Sequence, residues 1–409
     1  MNFLKSNNEI TKSMKKIVVI GAGYGGLRAI EHLVKYPEFE LYLFDCNSYH
    51  YLQTEAYGYI AGRFDMHDVA LDLKNWALGF DRPVHFMQEK VSFINSTKQE
   101  IQTQNSSYHY DYLIIATGAR TNFFSFIEGL DQYGLGVKRL ARTHRFRREF
   151  EELLYNKLQD STIQGQPINL AIGGAGLSGV EIAAEMADVI QRHTKSIGEL
   201  AQEIKIHLID ASDTILPGMS PYIIKHTNER LEALGITIHT NTFIDKVDRE
   251  SIYFKDGNNL AYSFMIFTGG IIANSIEMDI ESQQNRIGQY IADDTLRLDE
   301  RIFVIGDCAQ LKDQKDNLLP PTAQTAERSA EYVANAIKEL SKDKNPKPFR
   351  GKVDGLFVAL GGHYAVGELF GWIHVKGALA YLLKKLITKS YYIGLKLRLN
   401  TGFKKRTSH

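Results

Sequence analysis

Three glycines and one carboxylate define the first chemistry this chain can do. Gly21, Gly23 and Gly26 are spaced G-x-G-x-x-G directly after the apolar run Ile17-Val-Val-Ile20, and Asp45 follows 24 positions after Gly21. Glycines so placed give a tight turn, room for the backbone to meet a pyrophosphate, and close helix–strand contact. The amides opening the next helix, at the positive end of its dipole, suit phosphate. A carboxylate closing the second strand can accept hydrogen bonds from an adenosine ribose. The design then recurs. Gly174, Gly176 and Gly179 follow Ile168-Asn-Leu-Ala-Ile172, and Asp210 closes the strand Ile204–Ile209, 36 positions after Gly174. That acid comes later than the usual spacing of about 20, and the surplus falls in the polar stretch Arg192–Gln202. Two such units predict two nucleotide sites in one chain, one for FAD and one for a nicotinamide. After Asp210 comes Ala-Ser-Asp213, with no arginine to receive a 2′-phosphate, which favours NADH over NADPH.

Weaker signals stand at other strand ends. Tyr112-Leu-Ile-Ile-Ala-Thr-Gly118 is a buried strand whose small end, Thr117-Gly118, either lets backbone approach a ligand or makes a simple turn. Phe264-Met-Ile-Phe-Thr-Gly-Gly270 repeats that ending in the second unit. Arg301-Ile-Phe-Val-Ile runs into Gly306-Asp307, whose carboxylate suits either a ribityl hydroxyl or the cap of a helix. Pro320-Pro-Thr-Ala-Gln opens a helix to about Leu340 with Thr322 as N-cap. If a reduced flavin lies nearby, the positive end of that helix stabilises charge on it.

The elements that must position these groups are legible as well. A βαβ start spans Ile17 to Phe44, and Val84–Val91 and Gln99–Tyr110 alternate weakly, as in a short antiparallel meander. Residues 139–160 read as a surface helix in which Arg142, Arg145, Arg147 and Arg148 face Glu149, Glu151 and Glu152. The stretch Pro221–Leu234 reads as a helix closed by Gly235, and Asp256-Gly257 as a hairpin turn. The fold class is therefore α/β, with two Rossmann-like units. The expected division gives the FAD-binding unit residues 14–125 and 286–350, and the NADH-binding unit residues 163–280.

Composition limits the alternatives. The chain has 409 residues, 44% apolar and 23% charged, enough for two or three packed domains. Its net charge is zero, and nothing global points to nucleic acid. The segment Leu369–His409 carries nine Lys or Arg and no acid, leaving −9 on the first 368 residues by difference from zero. Leu379, Leu382, Leu383, Leu386 and Ile387 share one helical face, with Lys384, Lys385 and Lys389 mostly off it. Such a helix suits an anionic membrane surface; the competing reading packs it on the body or in a dimer contact. Residues 351–409 are expected to form this membrane-association or dimer region. The two cysteines, Cys46 and Cys308, form no C-x-x-C pair, so neither a disulfide framework nor a metal site is expected, and a reducing compartment fits. Residues 1–13 read as a polar lead-in without the apolar core of a signal peptide, and no apolar run reaches spanning length.

Together these pieces resemble the two-dinucleotide-binding-domain (glutathione-reductase-like) flavoprotein reductases, and within them the type II NADH:quinone oxidoreductases. The segments that carry the resemblance are Asp45-Cys-Asn-Ser-Tyr-His50, Gly174-Ala-Gly-Leu-Ser-Gly-Val-Glu181, Pro321-Thr-Ala-Gln-Thr-Ala326, Leu360-Gly-Gly and Ala365-Val-Gly367. The resemblance implies NADH oxidation coupled to reduction of a membrane quinone, without proton pumping, by a monotopic enzyme on the cytoplasmic face of the plasma membrane. It places FAD on Gly21, Gly23, Gly26, Asp45, Thr117, Gly118, Gly306, Asp307 and Ala323. It places NADH on Gly174, Gly176, Gly179, Asp210 and Gly270. Glu181 and Gln324 become the catalytic candidates, Glu181 reading otherwise as a buried helix carboxylate. Ala323, Gln324 and Ala326 match a quinone-pocket motif whose final Gln is Arg328 here. Rival readings are a sulfide:quinone oxidoreductase, a soluble NADH-dependent flavoprotein reductase, and a redox-sensing flavoprotein that governs partner binding.

Overall fold

A computed structural model describes residues 14–159, 168–192 and 204–399. The lead-in 1–13, most of Arg192–Gln202, and the tail cations Lys404, Lys405 and Arg406 lie outside the described residues.

Ile17, Val18 and Val19 are fully buried, as expected of a strand covered on both faces. The strand that holds them, Lys15–Ile20, is the centre of a five-stranded sheet. Phe39–Phe44 and then Val84–Met87 pair on one side of it, Tyr112–Ile115 and then Ile302–Val304 on the other, all parallel. Val84–Met87 thus corrects the meander expectation. It alternates in the sequence because it is the sheet edge, with Val84 buried and His85 exposed. The antiparallel meander is Val91–Asn95, Glu100–Thr103 and Ser107–His109. The helix Tyr24–Leu33 lays Leu27, Ala29, Ile30 and Leu33 on this sheet. Each large aliphatic side chain there contributes about 1.5–3 kcal/mol by leaving water.

The second sheet has the same plan around Ile168–Gly173. Ile204–Ile209 and Thr237–His239 pair on one side, Phe264–Phe267 and the two-residue strand Leu135–Gly136 on the other, again all parallel. Its covering helix is Leu177–Arg192. The helix Pro221–Ala233 starts with the Ser220 hydroxyl accepting from the Ile223 amide, and Gly235 follows its end at φ +73°. A short antiparallel ribbon, Ala119–Thr121 with Ile271–Ala273, joins the two units. The helix Leu140–Gln159 shows the expected Arg145–Glu149, Arg147–Glu151 and Arg148–Glu152 pairs. Phe146 and Phe150 on its other face are buried against the second sheet's core.

The chain returns to the first unit for Ile302–Val304 and the helix Ala323–Leu340, where the Thr322 hydroxyl accepts from the Thr325 amide. It closes with the antiparallel strands Gly355–Ala359, Ala365–Leu369 and Ile373–Gly377, then the helix Ala378–Lys396. Among the described residues no helix is long and apolar enough to cross a membrane.

Candidate functional site

The two glycine loops are built alike. Gly21 and Gly174 have φ of +102° and +106°, which glycine adopts without strain. Any side-chain carbon on Gly26 would collide with the Gly21 carbonyl oxygen, and one on Gly179 with that of Gly174. A carbon on Gly21 or Gly174 would strike the end of the neighbouring strand, at Ala116 or Gly269. Only the middle glycines, Gly23 and Gly176, face open space. The turn, the open approach and the tight helix–strand contact read from the sequence are thus all present, twice.

The acids hold these loops. Asp45 Oδ2 accepts from the Ala22 amide at 2.8 Å while its Oδ1 accepts from the Asn47 amide at 2.7 Å. Asp210 Oδ2 accepts from the Ala175 amide at 2.5 Å while its Oδ1 accepts from the Ser212 amide at 2.8 Å. Each carboxylate therefore braces its own loop, a task the sequence reading had not given it. The first helix has Gly23 as its N-cap and no side-chain cap, so its leading amides point outward without a protein side chain on them.

Of the remaining expected residues, Thr117 lies beside the Gly21 turn. The Thr117 hydroxyl donates to the Asn274 carbonyl at 2.5 Å, and the Gly118 carbonyl accepts from the Asn274 amide at 2.9 Å. Asn274 thereby stitches this strand end to the closing segment of the second unit. In the second unit the Asn122 amide donates to the Gly270 carbonyl at 3.0 Å. Gly306 lies against Ala326, its amide donating to the Ser329 hydroxyl at 3.2 Å. Lys138, which the sequence did not single out, pairs with Asp307 at 3.3 Å. Ala323 opens the last helix of the first unit, and the next residue, Gln324, accepts the Asp354 amide through Oε1 at 3.1 Å. Arg328 is ion-paired to Asp354, so its guanidinium is engaged with the segment before the final hairpins.

Glu181 is buried in the second unit's helix, and Oε1 accepts the Ala359 amide at 2.9 Å and Lys384 Nζ at 2.5 Å. Lys384 belongs to the C-terminal helix and is itself buried. Lys385 beside it reaches Glu55 at 2.6 Å and lies over the Phe64 ring at 4.2 Å. Both lysines lie off the apolar face, as the helical spacing has them. Both turn inward to carboxylates that stand 203 and 330 positions away in the chain.

One turn along from Glu181, Glu185 is 1% exposed and ion-paired to Arg63, which also holds Asp188 at 2.8 Å. Burial outweighs Arg63 and pushes the Glu185 carboxyl up to about 7. A carboxyl raised in the folded state stabilises the fold below about pH 4.5, and that contribution is lost as pH rises through about 7. Relative to Glu185→Gln, the wild type should lose on the order of 2–3 kcal/mol between pH 5 and 8. Urea midpoints across that range check this, and parallel curves would remove the claim.

The thiols are poorly placed for redox work. Burial and the Asp45 charge raise the Cys46 thiol. Cys308 is fully buried and donates to the Ile305 carbonyl at 3.2 Å.

Two loops of matching geometry on two parallel sheets agree with the comparisons. The profile for pyridine nucleotide-disulphide oxidoreductases matches residues 15–330. The chain belongs to the pyridine nucleotide-disulphide oxidoreductase family. Within that family it is 27% identical over 393 residues to a type II NADH:quinone oxidoreductase of Staphylococcus aureus, covering 92% of this chain and 95% of the relative. Its fold matches NDH2 of Plasmodium falciparum, solved in complex with NADH, at a TM-score of 0.84 and 21% identity, covering 94% and 96% of the two chains. The sulfide:quinone oxidoreductase of Aquifex aeolicus matches at a TM-score of 0.78 and 17% identity, covering 94% and 92%.

Proposed function

We propose that the protein is a type II NADH:quinone oxidoreductase, a FAD enzyme that takes hydride from NADH and passes two electrons to a membrane quinone. The observation that carries this reading is the second glycine loop, built like the first and braced by its own acid. The residues fit the cofactors: Gly23 and Gly176 leave backbone open to a ligand, and no side chain caps the first helix. In this reading residues 14–125 and 286–350 form the FAD unit, 163–280 the NADH unit, and 351–409 the membrane-association region.

FAD, when bound, supplies the hydride acceptance and the two-electron transfer. The chain's own part is to bind and orient. Gly21, Gly23, Gly26, Thr117, Gly118, Gly306, Asp307 and Ala323 form the first site, with Asp45 fixing its loop. Gly174, Gly176, Gly179 and Gly270 form the second, with Asp210 fixing its loop and disfavouring a 2′-phosphate. Gln324, Ala323, Ala326 and Arg328 border the acceptor. Glu181, paired with Lys384, is a polar group beside the path to that acceptor and passes a proton along it, a role that ends if Glu181→Gln turns over like the wild type.

Leu379, Leu382, Leu386, Ile387, Ile393 and Leu397 are all exposed along the C-terminal segment, with Lys389 and Lys396 exposed among them. That surface supports docking on an anionic bilayer at its cytoplasmic face; a second copy of the chain is the alternative occupant. One preparation tests the whole reading. Its flavin spectrum is recorded, and NADH oxidation is followed with a short-chain quinone, ferricyanide or sulfide. Sedimentation with anionic vesicles completes the set. A yellow protein bleached by NADH, active with quinone and pelleting with vesicles is expected. A colourless protein, or one reduced by sulfide and not by NADH, ends it.

A further inference from the structure

We propose that Tyr391, on the C-terminal helix, is a positioning residue for the first dinucleotide site, acting through His50 on the Ala22 carbonyl. The inference rests on the reading of the first glycine loop as the FAD site. It adds that this site is incomplete without a helix entering from the far end of the chain.

The connection is a chain of contacts. His50 is 2% exposed, and its Nδ1 lies 3.0 Å from the carbonyl oxygen of Ala22, between the first two glycines of the loop. A carbonyl only accepts, so Nδ1 carries the proton. Burial pushes the imidazole down to about 4, so the ring is neutral near pH 7 and Nε2 is an acceptor. The Tyr391 hydroxyl stands 3.3 Å from that Nε2 and donates to it. The Ala22 amide is already held by Asp45, so both faces of this one peptide-bearing residue are fixed, one by the acid and one by the histidine.

Ring packing strengthens the connection. Tyr24, the first helical residue after the loop, lies 5.0 Å from the Tyr391 ring and 5.0 Å from the His50 ring, centre to centre. The Tyr24 hydroxyl bonds Thr54 at 2.9 Å, which locks the ring from the other side. Further along the segment, Arg398 pairs with Glu31 on the same first-unit helix at 2.8 Å, and its backbone packs against Gly79, where a side chain would collide. The segment is therefore fastened on both sides of the loop contact. Loss of the Tyr391 ring leaves Tyr24 without its packing partner and the His50 Nε2 without its donor, so the imidazole that holds the Ala22 carbonyl is itself no longer fixed.

The test uses the holoenzyme and reads FAD release, followed by flavin fluorescence after dilution. Tyr391→Ala is expected to speed release at least tenfold. Tyr391→Phe keeps the ring and loses one neutral hydrogen bond, so about threefold is expected. Leu386→Ala, on the outer face of the same helix, should release at the wild-type rate. The double variant Tyr391→Ala/His50→Ala should release more slowly than the product of the two single effects requires, because part of what Tyr391 does passes through His50. NADH affinity at the second loop should stay unchanged throughout. Wild-type release in Tyr391→Ala, or effects that multiply in the double variant, overturns the proposal. Should Tyr391→Ala not fold, Tyr391→Phe decides alone, and an unchanged release rate overturns it. A wild-type protein that takes up no FAD defeats the underlying reading, and this inference with it.

Discussion

Gly179→Ala should leave the protein yellow and nearly blind to NADH. The added methyl group would collide with the Gly174 carbonyl oxygen and press on the Thr268 hydroxyl, which itself donates to that carbonyl at 3.0 Å. Relief requires the helix Leu177–Arg192 to move away from its strand. That movement displaces the amides expected to face the pyrophosphate. The first loop shares no atoms with this collision, so FAD content should match the wild type. A fall in kcat/KM for NADH of about 100-fold, equivalent to about 2.7 kcal/mol of transition-state stabilisation, is expected. Stopped-flow bleaching by NADH and the flavin-to-protein absorbance ratio measure the two parts separately. Loss of flavin with NADH binding intact would mean that the two loops had been assigned the wrong way round.

Lys384→Met should be among the most destabilising single changes in the C-terminal helix. It strands the Glu181 carboxylate, 9% exposed, with the Ala359 amide as its remaining hydrogen-bond donor. Removing one partner from a buried pair costs about 3–5 kcal/mol, because the other charge stays out of water uncompensated. The double change Glu181→Gln/Lys384→Met should recover most of that loss, since an amide oxygen can still accept from Ala359. Urea unfolding of the four proteins in this cycle gives the coupling directly. Equal midpoints for Lys384→Met and wild type would show that the pair carries no net stability. The reversed order, in which the double variant is the weakest, would point to packing of the lysine stem as the main term.

Much of the site was legible because its residues act through their own backbone. A glycine at Gly21 or Gly174 announces a conformation, and a collision that forbids any other residue at Gly26 or Gly179 shows as a fixed spacing. Thr322 and Gly235 were legible for the same local reason. What the sequence hid depends on contacts between distant segments. Periodicity puts Lys384 and Lys385 off the apolar stripe; nothing in a helical pattern can show that Glu181 and Glu55 meet them there. The two-residue strand Leu135–Gly136 is too short to leave a pattern, and Val84–Met87 alternated because an edge strand is half exposed. The bracing by Asp45 and Asp210 leaves no pattern, because an acid at a strand end does not show which amides of the glycine loop fold back to face it.

The order of strands also bears on how the chain is made. The second sheet has all its members once residue 267 has emerged from the ribosome, whereas the first lacks an edge until 302–304 arrives. Translation, at about 5–20 residues per second, therefore presents the second sheet with all its strands while the first is still open along Tyr112–Ile115. A nascent chain stalled so that residue 267 is clear of the exit tunnel while 302–304 is still inside it should show protease resistance in the later segment and cleavage in the earlier one, the reverse of simple N-to-C ripening.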